Sequence, residues 1–461
     1  MRIVSDPILS AIEDVPDYKE FMTLEELNSS TMRLAKEFPD LVRVFEAGTS
    51  REGRPIYGIK IGNGERVALL FGCPHPNEPV GTLVLEYLSW RLVKDDDLRK
   101  ELNYTWYIVK VADPDGLRLN EGWLKGPFTP LNYAMNYYRP AGNKQVEWTF
   151  PIEYKTLKFN DPIPETKALM NIIESYKPDF IYSLHNAGFG GVYYYLSEKA
   201  PLLYPIFYYF VEREKVPLSL GEPEVPWAKL LARAVYYMVS TPEYYDYLEK
   251  HADKDPAEII MSGTDSYDYA RHFNPNVLEL VTEVPYYYDP RIEDASPTET
   301  LRRKAVLDNI GNNKKHYEWL LAKYNEIKKD LKTETRFRES IEYFLKVVPE
   351  SLKAEEKWAK TAKELERPAT VAELFDNYQV SEFYRLLTLG LFYRMLKSEK
   401  SKSEKLRKMM EEVESRMKEH AEKLDKELRY KVIPIRKLVR IQLAAGLYSA
   451  LYVLNKKGKQ S

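Results

Sequence analysis

Two hydrophobic patterns alternate along the first 300 residues of the chain. Short continuous apolar runs are typical of buried strands, and apolar residues spaced three or four apart are typical of helices packed on one face. Strands that alternate with helices favour an α/β fold, here a mixed central sheet flanked by helices. The predicted strands are Pro55–Ile61, Arg66–Cys73, Thr105–Ala112, Asp179–Leu184 and Val277–Val284, and the predicted helices are Leu24–Phe38, Val80–Val93 and Glu165–Tyr176.

The turn Gly62-Asn63-Gly64 separates the first two predicted strands and indicates a hairpin between them. From about residue 300 glycine becomes scarce and Lys/Glu-rich helical patterns take over. Lys397–Tyr430 has an apolar stripe at helical spacing, and Ile433–Leu454 is a more apolar helix. We therefore predict an N-terminal extension (1–19), a catalytic domain (20–300) and an all-α C-terminal domain (301–461).

Composition narrows the classes of protein. The 461 residues are 44% hydrophobic and 30% charged, which indicates a globular chain. The 68 Lys+Arg and 70 Asp+Glu nearly cancel, so the net charge of −2 gives no reason to expect nucleic acid or an anionic membrane as a partner. The uncharged apolar stretch Leu443–Leu454 is shorter than the about 20 residues of a spanning helix. A single cysteine, Cys73, and no apolar signal near Met1 favour a cytoplasmic location.

Polar residues of metal sites follow three of the predicted strands. His75 and Glu78 follow Arg66–Cys73, His185 follows Asp179–Leu184, and Glu283 lies near the end of Val277–Val284. In α/β sheets ligands bind at the carboxyl ends of the strands. Two imidazoles and a carboxylate form the ligand set of several catalytic zinc sites, where the fourth position takes water. We therefore predict that His75, Glu78 and His185 bind Zn²⁺.

A carboxylate and an arginine complete a hydrolytic site. Zinc lowers the pKa of its bound water toward about 7. Glu283 is placed to take the proton of that water and to pass it to the leaving amine. An arginine near the metal stabilises the oxyanion. Glu279 is the alternative base, because it lies on the same face of the strand.

Several ordered motifs in residues 20–300 resemble the zinc carboxypeptidase family, which includes the pancreatic carboxypeptidases. Residues 75–78 (HPNE) are similar to the H-x-x-E zinc motif, and residues 113–116 (DPDG) to the N-P-D-G turn. Other similar segments are residues 46–56 (EAGTSREGRPI), 183–185 (SLH), 262–269 (SGTDSYDY) and 282–285 (TEVP). The resemblance implies zinc binding by His75, Glu78 and His185, Glu283 as general base and acid, and Arg139 as the group that polarises the scissile carbonyl.

The same resemblance exposes a difference at the substrate. Glu147-Trp148 stands where the family has the Asn-Arg clamp for a terminal carboxylate, and no tyrosine stands near Ile259, where the family has a mobile one. Within 262–269, Tyr267 and Asp268 are expected to shape the specificity pocket. Lys144 or another basic group is an alternative to the missing arginine.

Three functions remain open from the sequence. The first is a carboxypeptidase-like peptidase acting on an unusual peptide, and the second is an amidase or deacylase for an acylated amino acid or another small acylated metabolite. The third is a binding or scaffold protein with an idle metal site. A homo-oligomer through the C-terminal helices is a further expectation from the Lys/Glu-rich run after Lys397.

Overall fold

The computed structural model describes residues 5–400 and 403–457. The strands in this part of the chain are β1 (Val42–Thr49), β2 (Pro55–Ile61), β3 (Arg66–Gly72), β4 (Tyr104–Val109), β5 (Ile152–Tyr154), β6 (Leu157–Phe159), β7 (Phe180–His185), β8 (Tyr193–Leu196), β9 (Leu230–Ala232), β10 (Val235–Tyr237), β11 (Leu278–Glu283), β12 (Tyr287–Tyr288), β13 (Pro297–Leu301), β14 (Pro368–Thr370) and β15 (Lys431–Val432).

The α-helices of the described residues flank these strands and continue beyond them. They are α1 (Asp6–Glu13), α2 (Leu24–Glu37), α3 (Val80–Lys94), α4 (Asp96–Glu101), α5 (Pro114–Leu124), α6 (Pro130–Asn136), α7 (Pro164–Tyr176), α8 (Tyr204–Glu214), α9 (Thr241–His251), α10 (Pro256–Ile260), α11 (Ser266–Ala270), α12 (Arg302–Ile327), α13 (Arg336–Thr361), α14 (Val371–Phe375), α15 (Ser381–Ser398), α16 (Glu404–Glu427) and α17 (Ile435–Lys457).

A nine-stranded mixed sheet in the order β1-β2-β4-β3-β7-β11-β8-β10-β9 forms the centre of the fold. Strands β4, β3, β7 and β11 are parallel to their neighbours within this group, and β11 is antiparallel to β8. The residues of β7 and β11 are buried on both faces, as expected for parallel strands covered by helices. The predicted fold class, a mixed sheet flanked by helices, is confirmed.

The predicted hairpin at Gly62-Asn63-Gly64 is wrong. Strand β4 lies between β2 and β3 and pairs with both. The glycines serve a close approach instead, because a Cβ on Gly64 would lie 2.3 Å from the backbone of Asn103, just before β4. The loop between β2 and β3 therefore passes beside the start of β4. A local sequence pattern does not reveal that β4 lies between the two strands that the loop connects.

Helix α17 packs directly on the central sheet. It contacts β7 and β11 and the flanking helices α3 and α8. A Cβ on Gly446 would lie 2.5 Å from the Tyr182 ring, so glycine permits this approach. The amide of Gln442 donates to the carbonyls of His185 (2.6 Å) and Thr282 (3.0 Å), at the ends of two sheet strands.

The region after residue 300 shares one hydrophobic core with the α/β part. Leu70 and Leu184 of the sheet belong to the same buried cluster as Leu443 and Leu447 of α17. Helix α1 in the predicted extension also packs on α17. The domain boundaries at residues 19 and 300 remain predictions. Residues on both sides of residue 300 belong to one hydrophobic core.

Two C-terminal helices differ in what their apolar residues contact. In the described residues, one helix, Ile435–Lys456, passes a length and composition test for a membrane span, which corrects the expectation based on the shorter run Leu443–Leu454. Its most apolar window is 78% buried in the protein, and a buried core helix passes the same test. The apolar stripe on α16 is covered by the chain itself, since Met409, Val413 and Met417 are buried, and a homo-oligomer through the C-terminal helices remains a prediction.

Candidate metal centre and active-site cavity

A tight turn after β3 positions His75 and Glu78. Cys73, the first residue after the strand, has a φ of 55°, in the left-handed region, and the turn follows it. The Glu78 backbone N–H then donates to the His75 carbonyl at 3.0 Å. The turn therefore brings the two side chains together, and the Nδ1 atom of His75 lies 3.1 Å from Oε1 of Glu78.

The register of two adjacent strands positions His185 and Glu283. Strands β7 and β11 are parallel, and Glu283 is the direct partner of His185 at their carboxyl ends. Nδ1 of His185 lies 3.9 Å from Oε1 of Glu283. The prediction that separate strand ends bring these residues to one edge of the sheet agrees with the structure.

Three side chains converge as a ligand set for a metal ion. One ligand atom each from His75, Glu78 and His185 lies within 4.8 Å of the others, and all three residues are buried. Nδ1 of His185 lies 3.1 Å from Nδ1 of His75 and 3.0 Å from Oε2 of Glu78. Tetrahedral zinc with bonds of about 2.0–2.1 Å separates its ligands by roughly 3.4 Å, so this donor set fits zinc after small adjustments.

The protonation of His75 and Glu78 suits a cation. Burial, helped by the nearby Arg139 guanidinium, lowers the pKa of His75 to about 4, so the ring is neutral near pH 7. Burial opposes ionisation of Glu78, but the neighbouring His75 and hydrogen bonds from both histidines hold the pKa of its carboxyl well below its usual range. A neutral imidazole and an ionised carboxylate are the forms that bind a metal. Burial opposes a charge on His185, but the Glu147 and Glu78 carboxylates raise the pKa of its ring well above the usual range, so His185 must lose a proton to bind a metal.

A second layer of polar groups orients His185. Its Nε2 atom lies 2.7 Å from the Ser183 hydroxyl, which donates to Oε1 of Glu147 at 2.6 Å. Glu147 also accepts from the backbone N–H of Ser266 at 3.1 Å. Such partners fix the ring orientation of a metal-ligating histidine. Sequence reasoning treated Glu147 only as the loss of a carboxylate clamp, and the structure shows that it supports the ligand set.

Arg139 reaches the ligand set from the loop after α6. Its Nη1 donates to Oε1 of Glu78 at 2.8 Å and to Oδ1 of Asn77 at 3.3 Å. Its Nε donates to Oε1 of Gln145 at 2.8 Å, which fixes the guanidinium plane. The side chain lines the cavity beside the histidines, where its permanent charge can stabilise an oxyanion.

Two glutamates of β11 line the cavity, and they differ in their contacts. Glu283 lies beside His185, and its Oε2 is buried with no hydrogen-bond partner among the described residues. Burial and the charge of Glu78 raise the pKa of Glu283 well above its usual range. Glu279 also has a buried Oε2 without a partner among the described residues, but its Oε1 accepts from the Ser266 hydroxyl at 2.6 Å, and only Glu283 is the direct strand partner of His185. The geometry therefore favours Glu283 over Glu279 as the group that exchanges protons at the metal centre.

The structure does not bring Lys144, Tyr267 or Asp268 to the cavity lining. Asp265 caps the short helix α11, and this turn directs the next residues elsewhere. Tyr267 packs against a second buried cluster, which includes Leu69 and Phe71 of β3, and the Asp268 carboxylate accepts from the Thr264 hydroxyl. Lys144 is half-buried in a short 3-10 turn. The expectation that these three side chains bind substrate is therefore not supported.

The cavity around the ligands has a volume of about 440 Å³ and includes groups that the sequence did not indicate. Tyr384 of α15 lies in it, and its hydroxyl accepts from the Gly188 backbone N–H at 3.3 Å. Nearly 200 residues separate these two positions, so no local pattern signals the contact. The acidic residues among the lining are Glu78, Glu147, Glu224, Asp265, Glu279 and Glu283.

Comparison with known proteins gives a consistent family. The model of the zinc carboxypeptidase family matches residues 27–274. This range includes His75, Glu78, Arg139 and His185 and ends before Glu283. The chain is 29% identical over 126 residues to zinc carboxypeptidase A 1 of Anopheles gambiae, covering 24% of this chain and 29% of that protein.

Two further relatives differ in their names, since one is called a zinc carboxypeptidase and the other an inactive metallocarboxypeptidase. A zinc carboxypeptidase of Simulium vittatum is 34% identical over 102 residues, covering 21% of this chain and 34% of that protein. An inactive metallocarboxypeptidase of Schizosaccharomyces pombe is 30% identical over 184 residues, covering 34% and 36%. The chain thus spans about a third of the length of these curated relatives. The solved carboxypeptidase A of Helicoverpa armigera aligns with a TM-score of 0.39 at 20% identity, covering 61% of this chain and 70% of that one.

Proposed function

Because this chain belongs to the zinc carboxypeptidase family, whose model matches more than half of its 461 residues, we propose that it is a zinc-dependent hydrolase of peptide bonds. The observation that carries the proposal is the convergence of His75, Glu78 and His185, with Glu283 and Arg139 lining the same cavity. One relative of this family is named inactive, so activity rests on these side chains and needs a direct test.

Each side chain has a distinct chemical task in this proposal. His75, Glu78 and His185 hold the ion, and zinc bound there supplies a Lewis acid that acidifies water and polarises a carbonyl. Glu283 accepts the proton of the attacking water and delivers it to the nitrogen of the leaving amine. Arg139 stabilises the negative charge that develops on the carbonyl oxygen. Ser183 and Glu147 act through His185 and are positioning residues.

A second candidate function follows from the cavity lining. Arg139 is the only lysine or arginine among the described residues that line the cavity, and it is already bonded to Glu78. A free terminal carboxylate would lie among several acidic groups without a bidentate partner, which costs it a strong charge-assisted interaction. This favours an amide whose leaving group lacks a carboxylate, as in an amidase reaction or the deacylation of a small acylated amine, and disfavours an acylated amino acid, whose leaving group carries one.

Matched peptides separate the two functions. We would incubate the zinc-loaded protein with peptide pairs that differ only in a free or amidated C-terminus and identify the products by mass spectrometry. Faster release of the last residue from the free acid supports carboxypeptidase action. Equal or faster cleavage of the amide supports the second function. If neither member of any pair is cleaved by protein with full zinc content, the hydrolase proposal is wrong.

A further inference from the structure

A second cavity, of about 570 Å³, adjoins the one that holds the metal ligands. Both cavities are lined by Ala187, Glu224 and Tyr384, so they meet at these residues. The far wall of the second cavity comes from the C-terminal region, with residues of α12 and α13 and of the segment after α14. A substrate bound at the metal centre can therefore extend into a space that the helical region encloses.

The lining of this second cavity is strongly acidic. Its charged residues are Glu222, Glu224, Arg302, Glu355, Glu364 and Asp376. Arg302 is the single cation of this lining, and it is paired with Glu222 and with Glu373 outside the cavity. The carboxylates therefore exceed the positive charge available to them, and the field in the cavity favours a cation.

Four of these carboxylates form no ion pair with a described residue, because only Glu222 is paired with Arg302. Glu224 is held by the hydroxyls of Tyr193 and Tyr195, at 2.6 and 2.7 Å, which fixes it at the junction of the cavities. Glu355 lines the cavity with neither a hydrogen bond nor an ion pair to any described residue. Burial and the charge of Glu222 raise the pKa of Glu355 to about 7, which is the response of a carboxyl lacking a counterion.

Aromatic faces accompany the acidic groups. Trp358 and Tyr236 line the same cavity. Aromatic rings next to carboxylates attract ammonium and guanidinium groups through the negative face of the ring. The combination of excess carboxylates and aromatic faces is thus suited to a positively charged organic group and not to a phosphate or a carboxylate.

We propose that the acidic cavity binds an ammonium or guanidinium group of the substrate while its amide lies at the metal centre. The inference rests on the proposed function, because one substrate must occupy both cavities with its scissile amide at the metal centre. It names the substrate class: a peptide or amide with a basic side chain or a free amino terminus near the bond that is cleaved. The C-terminal helices then take part in substrate selection.

Charge-matched peptides test the proposal. We would measure kcat/KM of the zinc-loaded protein for peptides with lysine or its neutral isostere norleucine at each position, and for each peptide with a free or acetylated amino terminus. We expect a preference for the charged member on the order of tenfold at one position or at the terminus. The position identifies whether a side chain or the terminal amine occupies the cavity.

Two variants locate the effect. Glu355→Gln keeps the shape of the side chain and removes its charge, so the lysine to norleucine ratio should fall several-fold. Glu356→Gln is the matched control, because Glu356 pairs with Lys314 and Lys360 and does not line the cavity. The control should keep the ratio of the wild-type protein.

A binding measurement keeps this inference separate from the proposed activity. Calorimetry with zinc-loaded Glu283→Gln protein measures affinity for the lysine and norleucine peptides without turnover. Tighter lysine binding that depends on Glu355 supports the cavity even if no peptide is cleaved, in which case only the hydrolase proposal fails. Cleavage and binding that are indifferent to charge overturn the cationic site and leave the hydrolase proposal intact.

Discussion

Replacing Gln442 with leucine tests whether α17 is part of the fold that holds the metal site. The Gln442 amide donates to the carbonyls of His185 and Thr282, at 2.6 and 3.0 Å, and the residue is fully buried. Leucine removes both hydrogen bonds, so each of the two carbonyls loses one donor. Each such loss costs about 1–1.5 kcal/mol, and removal of the buried Gln442 Oε1, which has no partner among the described residues, offsets part of it, so we expect Gln442→Leu to lower the free energy of unfolding by about 1–2 kcal/mol.

The assay is urea denaturation of the wild-type and variant proteins, with zinc affinity measured by competition against a chelator. Zinc affinity should fall on the order of tenfold, because the backbone of the ligand His185 loses its support. Asn455→Leu is the control, since Asn455 is exposed in the last turn of the same helix and its side-chain amide donates to the Leu451 carbonyl of that helix. A change within about 0.5 kcal/mol for Gln442→Leu, equal to that of the control, would refute the reasoning.

Three further predictions concern packing and pH. Gly446→Ala should lower the free energy of unfolding by about 1–3 kcal/mol, because the added Cβ meets the buried Tyr182 ring. Gly311→Ala, at a helical position with open space around it, should raise the free energy of unfolding by up to about 1 kcal/mol. Denaturation curves that give both variants the same stability would contradict this packing. Burial lowers the pKa of His316 to about 3, so stability falls as pH drops below 6.5, and His316→Leu should flatten this acid loss in a pH series of melting temperatures. The pKa of Glu355 is raised to about 7, so its protonated form stabilises the protein at low pH and this stability is lost as pH rises through 7. Because glutamine stays neutral, Glu355→Gln should raise the melting temperature more at pH 8 than at pH 5.

The strands and the ligand set were predictable because their signals are local. A buried parallel strand is a continuous apolar run, and its end is visible where His75, His185 or Glu283 follows. The rule that ligands gather at the carboxyl ends of strands then predicts convergence, and the register of β7 and β11 places Glu283 beside His185. Each step uses a few neighbouring residues and one general rule.

What the sequence did not reveal depends on distant contacts. The place of β4 between β2 and β3 is set by pairing over the whole sheet. Tyr267 and Asp268 turn away because Asp265 caps a short helix, which the motif alone does not specify. Tyr384 enters the cavity from α15, and the packing of the C-terminal helices on the sheet brings it there.

Parallel measurement of bound zinc and hydrolysis in the wild-type and Glu283→Gln proteins tests the central claim most directly. We predict one zinc ion per chain in both proteins, with the rate of amide hydrolysis lowered by about 10²–10⁴-fold in the variant, because only the proton-transferring carboxyl is lost. Wild-type turnover retained by the zinc-loaded variant would contradict the role of Glu283. Failure of the wild-type chain to bind zinc would contradict the metal centre itself.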